Sequence, residues 1–194
     1  IEGAVLMAVE DSVQHGVLHV PGGSWSTMLE RSSNWSQFEL LMSAAVPSPG
    51  DRQVLYAASQ LFWDVADPAL HTDALLHRSV LWQGSVGDEQ VPNLTTELVA
   101  GAAGATLLTP TPRDSEDIAQ SAGPLQGPAL VWFDPEVGEP PLTNRPAETS
   151  GAHHNPRLWP GQHAQTLRFL DPDDPGVVEH FCGSSPCSAS NPGG

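Results

Sequence analysis

Two apolar segments set the strongest constraint on the fold of this chain. They read SVLWQGSV (residues 79–86) and PALVWFDP (residues 128–135), and neither alternates strictly between apolar and polar residues. Strands that are apolar on both faces are typical of a parallel sheet with helices on both sides. Segments with helical patterns lie before, between and after the two runs. The sequence therefore predicts an α/β fold in which helices cover parallel strands.

The predicted sheet is small. A third, shorter strand is predicted at residues 17–20, and residues 106–127 are predicted to be a loop. Three parallel strands with an open apolar edge would be poorly stable and prone to aggregate. We therefore expect the rest of the sheet to lie N-terminal to Ile1 or on a partner chain. The chain also opens inside a helical pattern, IEGAVLMAVEDSV, which suggests a processed or fragmentary chain.

The charge of the chain argues against two classes of partner. The formal net charge is −16, from 23 acidic residues and 7 basic residues that are all arginine. A surface this acidic repels phosphate backbones and anionic lipid headgroups. No apolar run approaches the roughly 18 residues of a membrane span. We expect neither nucleic-acid binding nor a transmembrane segment.

Candidate catalytic groups follow two of the predicted strands. Asp88 comes directly after the strand at 79–86, and His153 and His154 follow the strand at 128–135 after an intervening loop. Reactive groups of open parallel sheets gather in the loops at the carboxyl ends of strands. A carboxylate there can accept the Nδ1–H of a histidine and stabilise its imidazolium form. Alternatively, Asp88 is only a turn former, and the two histidines only precede a helix that Asn155 caps.

The segment GDEQVPNLTTEL, preceded by a buried strand, resembles the acid-bearing turn of α/β-hydrolases, which commonly contains Gly-Asp-x-x-Val-Pro before a helix. HGVLHVPGGSWSTMLERSSNW is similar to the strand, loop and start of the helical cap that follow the nucleophile-bearing helix in secreted bacterial members. AHHNPR and QTLRFL resemble the histidine loop and last helix of that family. The order Ser, Asp, His along the chain is also the family's order. The resemblance covers residues 1 to about 170.

The resemblance implies a single partial domain, the C-terminal part of an α/β-hydrolase fold. Residues 1–23 correspond to the helix and strand after the nucleophile, 24–77 to a helical cap split by PSPG at 47–50, and 78–170 to the acid- and histidine-bearing strands, loops and last helix. Residues 171–194 form an acidic tail. Asp88 then matches the triad acid and His153 the histidine, with His154 as the alternative.

The family's G-x-S-x-G nucleophile turn does not occur in the sequence. If the resemblance holds, the nucleophilic serine lies upstream of Ile1, on an N-terminal chain of the same cleaved precursor. The implied activity is ester hydrolysis by a carboxylesterase or lipase-like enzyme that works only with that partner. Ser24, after a Pro-Gly-Gly turn, is a local rival nucleophile, although a role as helix N-cap explains it fully. A non-catalytic binding or structural subunit is the alternative function.

The two cysteines bear on localisation. Cys182 and Cys187 bracket Gly-Ser-Ser-Pro, and a disulfide between them predicts a secreted or periplasmic (cell-envelope) protein. Free thiols and a soft-metal pair with His180 are the alternatives.

The acidic segment LDPDDPG at 170–176 offers Asp171, Asp173 and Asp174 to a Ca²⁺ ion, or forms a solvated turn. No cofactor and no other metal is predicted.

Overall fold

The computed structural model describes residues 1–140 and 143–194 and is built around a parallel β-sheet. Within those residues the sheet has five strands, β1 (His15–His19), β2 (Ser79–Ser85), β3 (Thr106–Thr109), β4 (Gln120–Ala122) and β6 (Ala129–Phe133). Their order in the sheet is β1-β2-β6-β3-β4, and all neighbours run parallel. Two further short strands, β5 (Leu125–Gln126) and β7 (Val177–Val178), pair antiparallel.

The prediction of a loop over residues 106–127 was wrong, because that segment contains β3, β4 and β5. β4 consists of three exposed residues, QSA, and carries no apolar pattern that could mark it as a strand. Its place in the sheet comes from hydrogen bonds to β3, which in turn lies against β6. The sheet is therefore larger than the three strands that the sequence predicts.

Helices flank the sheet. They are α1 (Glu2–Val9), α2 (Trp25–Met28), α3 (Ser36–Ala45), α4 (Pro49–Trp63), α5 (Thr72–Leu75), α6 (Asn93–Ala102) and α7 (Pro160–Phe169). The predicted break at 47–50 is the start of α4, where the Ser48 hydroxyl accepts a hydrogen bond from the amide of Asp51 and Pro49 occupies the first turn. Proline is favoured there because its missing N–H would have no helical partner.

Both faces of the sheet are buried, which explains the apolar runs. On one face Trp82, Leu130 and neighbouring strand residues pack against α1, α5 and α6. On the opposite face Leu81 and Phe133 pack with Phe169 of α7. Adjacent residues of β2 thus enter different cores, as the period of two in a strand requires. The structure confirms an α/β fold with helices flanking a parallel sheet.

Strand β1 lies at one edge of the sheet. Its only strand partner among the described residues is β2. All five residues of β1 are partly exposed, whereas those of β6 are fully buried. The outer backbone groups of β1 are therefore free to pair with a further strand. That another polypeptide completes the sheet stays a prediction.

Within the same described residues, every helix is too short or too polar to cross a membrane.

Candidate functional site

A rigid turn carries Asp88 at the carboxyl end of β2. The side chain of Asn93, the first residue of α6, accepts a hydrogen bond from the Gly87 amide (2.8 Å) and donates one to the Ser85 carbonyl (2.6 Å). Gly87 has φ +75°, and a Cβ at this position would lie 2.5 Å from the carbonyl oxygen of Gly138. Glycine is thus required by both conformation and space. The turn projects Asp88 beyond the sheet in a fixed direction.

The loop that carries His153 is fastened to the same strand. The Ser85 hydroxyl donates a hydrogen bond to the Ala152 carbonyl at 2.8 Å, next to His153 in sequence. The chain turns at Gly151, with φ +86°, whose carbonyl accepts the amides of His154 and Asn155. β2 and β6 are neighbours in the sheet, so their carboxyl ends bring the acid turn and the histidine loop together.

Asp88 and His153 are in direct contact. The Nδ1 atom of His153 lies 3.0 Å from Oδ1 and 2.9 Å from Oδ2 of Asp88. The Asp88 side chain is only 2% exposed, and Oδ1 also accepts the amides of Gln90 and Val91 at 2.8 and 2.9 Å. Because a carboxylate can only accept hydrogen bonds, Nδ1 carries the proton and Nε2 is left as a base. This is the arrangement of an acid that orients a general base.

The geometry distinguishes the two adjacent histidines. His154 is exposed, and its Nε2 lies 3.3 Å from Nε2 of Gln90 rather than near Asp88. The two imidazole rings are 5.1 Å apart at nearly right angles. Of the two histidines considered from the sequence, the structure brings His153 to Asp88.

Ser24 lies in the turn after β1 and has φ +58°, in the left-handed region that few non-glycine residues adopt. Its hydroxyl donates to Oγ1 of Thr27 at 2.8 Å, and its amide donates to Oδ1 of Asp67 at 2.7 Å. Ser24 occupies the N-cap position of α2, but its side chain accepts no hydrogen bond from the helix, so the prediction of a side-chain cap was wrong. The Ser26 and Thr27 amides, which such a cap would bind, donate instead to Oε1 of Gln60 and to the Ser24 carbonyl. Ser24 makes no hydrogen bond with His153 or His154 in the structure.

His19, which is not among the residues predicted from the sequence to lie in the site, ends β1 beside Gln83 of β2. Its Nδ1 lies 3.5 Å from the side-chain nitrogen of Gln162, and its buried Nε2 has no hydrogen-bond partner among the described residues. Burial lowers the pKa of His19 to about 4, with Arg157, His153 and His154 adding in the same direction and Gln83 opposing it. His19 is therefore neutral near pH 7. Its position in the sequence, at the end of a predicted strand, is the feature that could have marked His19 as a neighbour of the site.

A cavity of about 800 Å³ adjoins the acid turn. Its described lining includes Asp88, Ser150 and three arginines, Arg31, Arg113 and Arg145. Arg113 is engaged by Glu97 at 2.9 Å and by Glu139. The cavity is therefore lined by acidic as well as basic side chains, and its charge does not favour an anionic ligand.

The remaining candidates from the sequence are possible metal ligands near the C-terminus. Cys182 and Cys187 form a disulfide, which removes them as thiolate ligands for a metal with His180. The Asp171 carboxylate accepts the Asp173 amide at 3.0 Å. Asp174 pairs with Arg168 at 2.6 Å. Among residues 1–140 and 143–194, no group of three or more potential metal ligands comes together.

Comparison of the chain with protein-family models, with curated proteins and with solved structures found no match.

Proposed function

We propose that this chain is the acid- and histidine-bearing part of a serine hydrolase with an α/β-hydrolase fold. One observation supports this above all others. A buried carboxylate, Asp88, holds Nδ1 of His153 through both of its oxygens at the carboxyl ends of two adjacent parallel strands. The spacing and the sheet position are those that Ser-His-Asp catalysis requires. The preferred substrate is a carboxylic ester, as in a carboxylesterase or lipase.

In the proposed mechanism, His153 acts as the general base and then as the general acid. Its Nε2 takes the proton of a serine hydroxyl as that oxygen attacks the ester carbonyl, and then gives the proton to the leaving alcohol. Water, deprotonated by the same nitrogen, then attacks the acyl carbon. The bond to the serine oxygen breaks, that oxygen takes the proton back from Nε2, and the carboxylic acid is released. Asp88 keeps Nδ1 protonated and stabilises the imidazolium form. Burial of the Asp88 carboxylate strengthens that interaction because little solvent screens it.

The serine is proposed to come from a polypeptide outside residues 1–194, namely an N-terminal chain of the same precursor. In the described residues, the hydrogen bonds of the His153 side chain are both made by Nδ1 to Asp88, and Nε2 makes none to a hydroxyl or thiol. The edge of β1 supports this proposal, since it adjoins the candidate site and its backbone can accept another parallel strand. The Cys182–Cys187 disulfide supports a location outside the cytoplasm, in the periplasm or beyond.

Two alternatives make different predictions. Ser24 as nucleophile is favoured by its left-handed backbone at a tight turn, because such strain is often found at functional sites. A non-catalytic binding or structural subunit is favoured by the lack of any nucleophile near His153 in the part of the chain that the structure describes.

A fluorophosphonate probe tests the proposal. The intact protein, as isolated from its source with any accompanying polypeptide, is labelled and then analysed by intact-mass and peptide mass spectrometry. We expect label on a serine outside residues 1–194, strong loss of labelling in His153→Gln, and normal labelling in the matched control His154→Gln. Label on Ser24 would support the local nucleophile instead. Absence of label in a folded, complete protein would overturn the proposed activity.

A further inference from the structure

Glu89, the residue after the candidate acid, is buried where an exposed turn residue would be expected. The residue is 1% exposed. Its Oε2 accepts a hydrogen bond from the main-chain amide of His153 at 3.2 Å and another from the hydroxyl of Ser150 at 2.9 Å. We propose that Glu89 is a positioning residue that fixes the main chain of His153. The proposal rests on the function proposed above for that histidine.

The carboxylate is held in its ionised form. Burial raises the pKa of Glu89, but hydrogen bonds, among them those from Ser150 and the His153 amide, outweigh burial and leave the pKa below its ordinary value. Oε1 of the same carboxylate is buried without a hydrogen-bond partner in the described residues. A buried charge with one unsatisfied oxygen is unfavourable for stability, so a residue selected only for packing would be apolar here. The arrangement favours a role in fixing the loop.

The main chain of Glu89 is itself anchored. Its carbonyl accepts a hydrogen bond from the Ser33 amide at 2.7 Å, in the segment that follows α2. On its other side, the Asp88 carboxylate binds the amides of Gln90 and Val91. The base of the Glu89 side chain therefore belongs to a turn that is fixed from both directions. This turn is a rigid support for the histidine loop.

Two successive carboxylates thus hold one histidine at two points. Asp88 binds the imidazole, and Glu89 binds the main-chain amide of His153. Contact with Asp88 alone would let the imidazole ring rotate about Nδ1, and Nε2 could then occupy several positions. A second contact at the main chain removes that freedom and fixes the direction of Nε2. Because general-base catalysis requires placement within a fraction of an ångström, the second contact matters for the proposed chemistry.

The test compares Glu89→Ala with Glu89→Gln in the intact protein. The measured quantity is the exchange with solvent of the Nδ1 proton of His153, observed as a low-field resonance by proton NMR, together with the melting temperature. In Glu89→Ala we expect exchange to accelerate by about tenfold, since both hydrogen bonds to the loop are lost. In Glu89→Gln the amide oxygen can still accept both bonds, so exchange should stay close to that of the wild type.

Two further variants keep the test decisive. Ser150→Ala removes one of the two donors to Glu89 and should give an intermediate exchange rate even if Glu89→Ala folds poorly. Glu30→Gln alters a buried carboxylate elsewhere, 4% exposed, and should leave exchange unchanged. A lower melting temperature with unchanged exchange in Glu89→Ala and Ser150→Ala would overturn the proposal and leave Glu89 a structural residue. Failure of fluorophosphonate labelling would not alter these rates, so the two proposals fail separately.

Discussion

Replacement of Asp88 by Asn separates the catalytic interpretation of this residue from that of a turn former. Oδ1 of Asp88 accepts two main-chain amides and also lies 3.0 Å from Nδ1 of His153, whereas Oδ2 contacts His153 alone. The amide oxygen of Asn can keep both main-chain bonds. The amide nitrogen would then replace Oδ2 and face Nδ1 as a donor. Only Oδ1, which already accepts two main-chain amides, could still accept the Nδ1 proton, so the tautomer in which Nδ1 accepts from the Asn amide becomes favoured.

The expected magnitudes differ strongly between activity and stability. Turnover of an ester by the complete protein should fall roughly 10⁴-fold, about 5.5 kcal/mol, which is the order of effect seen when Ser-His-Asp enzymes lose the orienting carboxylate. The free energy of unfolding should fall by only about 1 kcal/mol, because one hydrogen bond is altered. Asp88→Ala is the comparison variant. It strips Gln90 and Val91 of their acceptor and should destabilise by a further 2–4 kcal/mol, roughly.

The assays are ester hydrolysis under saturating substrate and urea unfolding, both on the same preparation. If Asp88→Asn lost stability and turnover in the same proportion, or kept near-normal turnover while folded, Asp88 would be a turn former and the proposed mechanism would be wrong.

Three other changes have measurable outcomes. Asn93→Ala removes two buried hydrogen bonds that shape the acid turn and should lower the free energy of unfolding by about 2–4 kcal/mol in urea titrations, with activity falling in parallel. The pKa of His19 is about 4 in the folded protein, against 6.5 for an ordinary histidine. The free energy of unfolding should therefore be highest above pH 6.5, where His19 is neutral in both states, and should fall as the pH drops from 6.5 towards 4. Allowing for solvent screening, the fall is about 1–2 kcal/mol. His19→Gln should abolish this dependence of stability on pH, whereas His77→Gln should leave it in place. Cys182→Ser opens a short disulfide loop and should lower stability by about 2 kcal/mol in thermal unfolding.

Several features of the protein followed from the sequence because their causes are local. A strand covered on both faces must be apolar at successive positions, so β2 and β6 were predictable from their residues alone. The position of Asp88 at the end of β2 followed from the same segment, since Gly87 marks the turn. Helix α4 was also foreseeable, although its exact start depended on a capping serine.

Other features depend on contacts between distant parts of the chain. β4 has three exposed residues and is a strand only because β3 supplies its hydrogen bonds. The environment of His19 arises where β1 meets Gln162 of α7, and no local pattern marks that meeting. Residues that are far apart in sequence must first be placed by the whole sheet before such contacts exist.

The candidate site shows the same division. The sequence by itself determined that a carboxylate and two histidines would reach one edge of a parallel sheet. The sequence left His154 as the alternative to His153, and the tertiary structure decided that His153 faces Asp88. The Ser85 hydroxyl binds the Ala152 carbonyl and Glu89 binds the His153 amide, and these contacts fix the orientation of the loop. Adjacent residues in a loop point in different directions, and only the hydrogen bonds that orient the backbone determine which of them meets the acid.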